Sequence, residues 1–134
     1  MNKTIQQTTV KGLFEKGGRI LLVKDHKEIW ELPGGRIHHD EKPKEALKRE
    51  LNEELGWSNV KISKKINTWS FTSKNGNNTY CFFVIVYGCN SNEEKIKKHD
   101  EYVECKWIPI SKIDGLKMRD GYKKSIKLFL KEIQ

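Results

Sequence analysis

The sequence predicts a mixed α/β fold, an α/β/α sandwich in which a mixed β-sheet lies between helices. Strand-like runs fill the first quarter of the chain, and a helical pattern follows at residues 43–55. Further strand-like runs come next, and a second helical pattern closes the chain at residues 120–133. Strands on both sides of an internal helix favour a layered sheet with helices on its faces. We expect one domain, residues 1–134, because a chain of this length can bury roughly two thirds of its unfolded surface.

The composition indicates a globular cytoplasmic protein. Charged residues make up 33% of the chain, but four Trp, four Tyr and five Phe can contribute to a core. The longest apolar run, residues 80–87, is far shorter than the roughly 20 residues of a membrane-spanning helix, so we expect no membrane partner. Residues 1–10 contain no apolar run, so we expect no secretory signal in them. Three widely spaced cysteines are typical of reduced thiols.

A formal net charge of +8 would attract polyanions such as nucleotides or RNA. The lysines are dispersed along the chain, however, and no motif of a nucleic-acid-binding module accompanies them. We therefore expect the charge to serve mainly solubility, with RNA kept as an alternative partner. A monomer and a homodimer both fit the sequence.

Two strands joined by a glycine turn are predicted near the N-terminus, at residues 8–14 and 19–24. A polar turn at 25–28 follows, and residues 29–32 lead into Pro33-Gly34-Gly35. Glycine permits positive φ and lets other groups approach the backbone closely, so a tight loop is expected there. Trp30, just before this loop, is a candidate for lining a nucleotide pocket, with core packing as the alternative.

The internal helix has clear ends. Pro43 suits the first turn of a helix, and Gly56 suits its C-terminal stop. Leu47, Leu51 and Leu55 recur at i+4 and form a stripe that should face the core.

Beside that stripe lie Glu50, Glu53 and Glu54, within an arc of roughly 100°. One interpretation is a solvated helix edge with ion pairs to Arg49. Like-charge neighbours, however, each destabilise an isolated helix by roughly 0.2–0.5 kcal/mol. A carboxylate cluster with no cation among its members is also what a hard divalent cation requires. On spacing alone the two interpretations are equally good.

After the helix, strands are predicted at residues 60–72, 79–87 and 102–108. Residues 74–78 contain Asn-Gly, a strong hairpin signal between the first two strands. The run at 79–87 is apolar on both faces and should be a central strand. A charged surface loop is expected at 90–100. The closing helix has an apolar stripe of Ile126, Phe129, Leu130 and Ile133.

The stretch from the glycine loop to the end of the internal helix resembles the Nudix box, G-x5-E-x7-R-E-U-x-E-E-x-G-U, where U is a bulky apolar residue. Its seven fixed positions are matched by Gly35, Glu41, Arg49, Glu50, Glu53, Glu54 and Gly56. The final U position holds Trp57 instead of the usual aliphatic residue. The order of elements also agrees with the Nudix sandwich, so the resemblance to Nudix hydrolases extends over essentially the whole chain.

The resemblance implies an enzyme that uses Mg²⁺, or Mn²⁺, to hydrolyse a nucleoside diphosphate linked to another moiety. It implies that Glu53 and Glu54 are the principal metal ligands. Glu50 would be a ligand or the base that deprotonates water. The backbone carbonyl of Gly34 would complete the metal shell.

Other roles follow from the same resemblance. Arg49 would orient Glu41 or Glu53, and Glu41 and Gly35 would be structural. Family members also use a glutamate from a loop before the last strand, as a ligand or as the catalytic base. Glu101 is the best match here, six residues before Trp107; Glu104 is nearer, but in a regular strand it shares a face with Tyr102 and not with Glu101. For either glutamate a solvated surface charge is an equally good interpretation.

The features that mark several Nudix subfamilies are not evident, which leaves a MutT-type enzyme that releases pyrophosphate from a (deoxy)nucleoside triphosphate. In that subgroup a polar side chain just before the terminal helix reads the base, and Asp120 is the nearest counterpart, with a helix N-cap as its alternative role. An RNA 5′-end pyrophosphohydrolase and a non-catalytic nucleotide sensor are the alternatives. The four glutamates of the motif argue against the sensor.

Overall fold

The computed structural model describes residues 2–133 and consists of two four-stranded sheets with helices on both sides. The elements are β1 (Thr4–Leu13), β2 (Glu15–Lys16), β3 (Arg19–Lys24), β4 (Trp30–Glu31), β5 (Gly34–Arg36), α1 (Pro43–Leu55), β6 (Val60–Asn75), β7 (Asn78–Ser91), β8 (Glu104–Pro109), a 3₁₀ helix (Ile110–Gly115) and α2 (Asp120–Glu132).

The first sheet has the order β5-β1-β7-β6 and is mixed. Strand β1 runs parallel to β7 from Thr4↔Thr79 to Leu13↔Gly88, while β5 and β6 pair antiparallel with their neighbours. The prediction that residues 79–87 form a central strand is confirmed. The Asn-Gly hairpin is also confirmed, with a tighter turn at Gly76-Asn77.

The second sheet is antiparallel and is built around β3, which pairs with β2, β4 and β8. The predicted single sheet is therefore too simple. The two N-terminal strands, which sequence reasoning joined as one hairpin, separate because β1 takes β5 and β7 as partners.

Two hydrophobic cores lie on opposite sides of the sheets, so the predicted sandwich of sheet between helices is confirmed. One core contains Leu47, Leu51 and Leu55 of α1, each fully buried, together with Val10 and Leu21. The other contains Tyr122, Ile126 and Phe129 of α2 together with Ile20, Leu22, Val84 and Val86. Alternate residues of β3 thus enter different cores, as the pleat of a strand requires.

Helix α1 has the ends that the sequence predicts. Pro43 is its first residue, and Gly56 caps it in the left-handed conformation (φ 77°), donating its N–H to the Asn52 carbonyl at 2.9 Å. Such caps satisfy carbonyls that have no partner within the helix. The cap ends α1 directly beside the buried Trp57. None of the helices within residues 2–133 has the length and hydrophobicity needed to cross a membrane.

Candidate active site

A cleft of about 690 Å³ opens where the glycine loop, α1 and the β6–β7 hairpin meet. One wall carries the charged residues Arg36, Arg49, Glu50, Glu53 and Glu101, and the other carries Phe71, Phe82, Val84, Arg119 and Tyr122. The floor is formed by Thr9, Lys11 and Glu31 together with the glycine loop. The fold therefore brings segments from five strands and both helices to one open cavity.

The three carboxylates on the edge of α1 lie at different depths. The side chain of Glu53 is 54% exposed, that of Glu50 is 14% exposed, and Glu54 is 7% exposed. Burial raises the pKa of Glu50, and it raises the pKa of Glu54 to about 8. A cation beside these groups would favour their charged forms.

Gly34 and Gly35 bring the loop against this edge. At Gly35 an added Cβ would lie only 1.8 Å from Oε1 of Glu50, so the missing side chain leaves room for that carboxylate. Gly34 has φ 137°, and a Cβ there would lie 2.1 Å from the Val10 carbonyl oxygen of β1. The Gly34 N–H also donates to Oε1 of Glu54 at 3.4 Å. One glycine thus makes room for backbone and the other for a carboxylate.

Arg49 lies among the acidic side chains and pairs with several of them. It donates to both carboxylate oxygens of Glu41, at 2.6 and 2.9 Å, and to the Arg36 carbonyl at 3.0 Å. Its Nη1 is 3.3 Å from Glu53 and 3.4 Å from Glu50. Arg49 thus places a cation among the carboxylates, as in the ion-paired helix edge that the sequence left open as one of two interpretations.

The Arg49 hydrogen bonds also lower the pKa of Glu41, to about 2. The Glu41 carboxylate accepts a further hydrogen bond from the His38 N–H at 2.8 Å. Glu41 is thus held in the charged form and ties the loop before α1 to the helix itself.

Lys11 of β1 is a second cation near the site, and sequence reasoning missed it. It is 5% exposed and donates to Glu31 at 3.2 Å and to the Gly34 carbonyl at 3.3 Å. A lysine within an otherwise apolar strand run was the signal that could have found it, since lysine is rarely buried unless it is paired.

Glu101 lines the cleft from the loop between β7 and β8. Contacts on either side hold this loop: the Tyr102 hydroxyl donates to the Lys97 carbonyl at 2.5 Å, and His26 Nε2 lies 2.6 Å from the Asp100 carbonyl. Glu104 lies outside the cleft and forms ion pairs with Lys24 and Lys106.

The opposite wall is aromatic. Phe71 and Phe82, cross-strand neighbours in the hairpin, stack with their ring centroids 4.7 Å apart. The guanidinium carbon of Arg119 lies 4.2 Å from the centre of the Phe71 ring. Sequence reasoning missed these residues, although the hairpin register would have paired the two phenylalanines.

Two predicted substrate contacts need correction. Trp30 is 8% exposed and packs in the core on the α2 side, so it does not line the cleft. Asp120 is exposed, is the first residue of α2, and also lies outside the cleft. The N-cap position belongs to Arg119, which does line the cleft. The helix therefore begins one residue earlier than an Asp120 cap would require.

The available donor atoms fit a hard divalent cation. Glu54, Glu101 and Gly34 border a small cavity of about 60 Å³ next to the cleft, and the room that Gly35 leaves is filled by the Glu50 carboxylate. The donors are carboxylate and carbonyl oxygens, which Mg²⁺ and Mn²⁺ prefer. Across residues 2–133 no three His, Cys, Asp or Glu side chains converge as a metal site; the carboxylates are engaged by Arg49 and by the Gly34 N–H.

Comparison with known proteins points to one family. A family model described as the NUDIX domain matches residues 6–129. The nucleoside triphosphatase NudI of Escherichia coli O139:H28 is 28% identical over 117 residues, covering 77% of this chain and 82% of the relative.

Solved structures share the fold. The MutT protein of Methanosarcina mazei Go1 has a TM-score of 0.81 at 22% identity, covering 98% of this chain and 97% of that one. The NUDIX domain of Shewanella oneidensis NrtR, complexed with ADP ribose, has a TM-score of 0.70 at 15% identity, covering 98% and 89%.

Proposed function

The chain belongs to the Nudix hydrolase family and is an enzyme that acts on nucleotide derivatives, and from that premise we propose that it is a Mg²⁺-dependent pyrophosphohydrolase of (deoxy)nucleoside triphosphates. The observation that carries the proposal is the placement of Glu50 and Glu54 against the Gly34-Gly35 loop, with Glu53 beside them on the same helix edge and in the lining of the cleft. The aromatic wall opposite suits a nucleoside, and the matched relative NudI is named a nucleoside triphosphatase.

Under this proposal, Glu53, Glu54, Glu50 and the Gly34 carbonyl hold the metal. Bound Mg²⁺ or Mn²⁺ would neutralise phosphate charge and lower the pKa of an attacking water. Glu53 is the most accessible of the three carboxylates, so it is the first that a cation entering from the cleft would meet.

Arg49 positions the carboxylates at this edge of α1. Its bidentate contact with Glu41 anchors the guanidinium, and its weaker contacts with Glu50 and Glu53 can then be exchanged for a metal without loss of the anchor.

Glu50 and Glu101 are the two candidates for the catalytic base. Both line the cleft, and the charge of Glu101 helps to raise the pKa of Glu50. The base must lie within hydrogen-bond reach of the attacking water. We would measure the pH–rate profiles of E50Q and E101Q. The catalytic base is the residue whose substitution alone abolishes the fall in rate at low pH.

We place the nucleoside end of the substrate at Phe71, Phe82 and Arg119. Aromatic rings and guanidinium planes both stack on bases, and base–aromatic stacking contributes roughly 1–3 kcal/mol per base in single-strand-binding proteins. Ser73, from the same strand as Phe71, adds a hydroxyl to this wall.

The test is a substrate panel assayed with Mg²⁺, with products identified by mass. Nucleoside and deoxynucleoside triphosphates should give the monophosphate and pyrophosphate faster than ADP-ribose, nucleotide sugars or dinucleoside polyphosphates are cleaved. Faster cleavage of one of the latter would overturn the substrate assignment, and no turnover of any of them would overturn the enzyme assignment.

RNA with a 5′-triphosphate is the second candidate substrate. The aromatic stack continues past the cleft, since Tyr80 lies on Phe82 with a centroid distance of 6.2 Å but is not part of the cleft wall. The net charge of +8 also favours a longer anion. In RNA, a second nucleotide could stack on Tyr80, and its additional phosphates would be attracted by the net positive charge.

A further inference from the structure

Lys11 is a positive charge built into the floor of the site. The residue is 5% exposed, and its ammonium group has two acceptors, Oε1 of Glu31 at 3.2 Å and the carbonyl of Gly34 at 3.3 Å. Burying a charged side chain is costly unless it is paired and hydrogen-bonded. Both contacts are therefore part of what keeps this lysine in place.

The two acceptors of the Lys11 ammonium, the Gly34 carbonyl and the Glu31 carboxylate, have different roles in the proposed site. The Gly34 carbonyl is the backbone ligand in the proposed metal site, whereas Glu31 belongs to β4 and borders both the cleft and the small cavity beside Glu54. The electric field of Lys11 also reaches Glu54, where it opposes the rise in that group's pKa caused by burial. The ammonium thus competes for the same carbonyl and the same carboxylate charge that a divalent cation would use.

We propose that Lys11 is a resident competitor of the metal: its ammonium holds one side of the Gly34 carbonyl oxygen and repels a second cation there, so it moves off that oxygen when a divalent cation binds, and Glu31 then retains it. The proposal rests on the proposed function, because it takes Gly34 as a metal ligand. It makes the Lys11–Glu31 pair the determinant of how much free metal the enzyme needs.

Substitutions of the two residues of this pair should change the affinity for divalent cations in opposite directions. Lys11→Met removes the competitor, so divalent ions should bind more tightly. Glu31→Gln removes the alternative partner, so the ammonium should stay on the Gly34 carbonyl and metal should bind more weakly. In the double variant K11M/E31Q the competitor is absent, and the second change should have little further effect.

The experiment measures Mn²⁺ binding without nucleotide, by the electron paramagnetic resonance signal of free Mn²⁺. Substitution of a residue that contacts a metal ligand typically changes metal affinity by roughly 10–100-fold. We expect effects of that size here, with tighter Mn²⁺ binding by K11M and weaker Mn²⁺ binding by E31Q. Lys106→Met is the matched control: it also removes a paired lysine, 2.9 Å from Glu104, but outside the cleft. It should bind Mn²⁺ like the wild type.

Unchanged or weaker binding in K11M, or unchanged or tighter binding in E31Q, would overturn the proposal. Additive effects in the double variant would also overturn it, since they would reflect long-range charge alone. If K11M does not fold, as judged by circular dichroism, E31Q decides the matter. If the wild type hydrolyses nucleotides but E31Q does not bind Mn²⁺ more weakly, only this inference fails. If the wild type itself does not bind Mn²⁺, the proposed metal site fails as well.

Discussion

Among single side chains, Glu53 offers the cleanest separation of catalysis from stability. It is half exposed, and its contact in the fold is a 3.3 Å ion pair with Arg49. Exposed pairs of this kind contribute about 0–1 kcal/mol. We therefore expect E53Q to melt close to the wild type while kcat with Mg²⁺ falls by about 10²–10³-fold, the loss typical when one electrostatic stabiliser of a transition state is removed.

Steady-state kinetics and thermal melting of the same preparation would check this. Glu94→Gln is the matched control, because Glu94 is an exposed glutamate of the loop between β7 and β8 and does not line the cleft. Turnover by E53Q/E54Q at the wild-type rate would contradict the assigned metal ligands.

The two loop glycines should respond differently to alanine. In Gly35→Ala the new Cβ meets the flexible end of Glu50, so the carboxylate moves, the fold survives, and activity drops. In Gly34→Ala the Cβ meets the backbone of β1, and φ 137° is unfavourable for any side chain. Melting temperatures should therefore fall much more for G34A than for G35A, and equal losses would show that Glu50 cannot give way.

Between elements, the Glu41–Arg49 contact joins the preceding loop to α1 and should make stability depend on pH. The folded-state pKa of Glu41 is lowered from 4.5 to about 2 by Arg49. A carboxyl with a depressed folded pKa adds stability above its unfolded pKa and loses it as the pH falls through the folded value. Wild type should thus exceed E41Q in free energy of unfolding at pH 6, and the difference should shrink between pH 4.5 and 2.

Urea titrations at several pH values would measure that difference. Arg49→Lys keeps the charge but cannot form the bidentate contact, so it should lose part of the same increment. A difference between wild type and E41Q that stays constant from pH 6 to pH 2.5 would contradict the assigned contact.

Elements also differ in how far the sequence predicts them. Helix α1 was predictable to the residue, because proline and glycine act directly on the backbone at its two ends. The first half of β1 was not, since three of the four residues Thr4–Gln7 are polar and the segment is placed by its backbone pairing with residues 79–82 of β7. Pairing over such a distance leaves no local pattern.

The site divides in the same way. Its acidic edge is contiguous in sequence, so the box motif could locate Glu50, Glu53 and Glu54 together. Lys11 and Arg119 come from opposite ends of the chain and reach the cleft only through the sheet. The motif therefore pointed to the wall proposed to hold the metal and missed the wall proposed to hold the nucleoside.

At the scale of the whole molecule, the charge of +8 leads to a prediction about salt. A mononucleotide offers the protein few phosphates to contact, so its binding should depend only weakly on salt. We expect kcat/KM for a nucleoside triphosphate to fall by no more than about tenfold between 50 and 200 mM KCl. Sucrose at equal osmolality should have no such effect. RNA with a 5′-triphosphate that outperforms the mononucleotide at 50 mM KCl and loses about 10³-fold by 200 mM would make RNA the substrate.

The parallel pairing of β1 with β7 has a consequence for biosynthesis. Partners in this register are about 75 residues apart in the chain, so the ribosome completes the glycine loop and the acidic helix long before β7 emerges. Until then one edge of β1 is open to strands of other nascent chains, a state prone to aggregation. A polypeptide arrested before residue 78 would carry the entire Nudix signature and still be unable to assemble the cleft, because lining residues such as Phe82, Glu101 and Arg119 would not yet have been made.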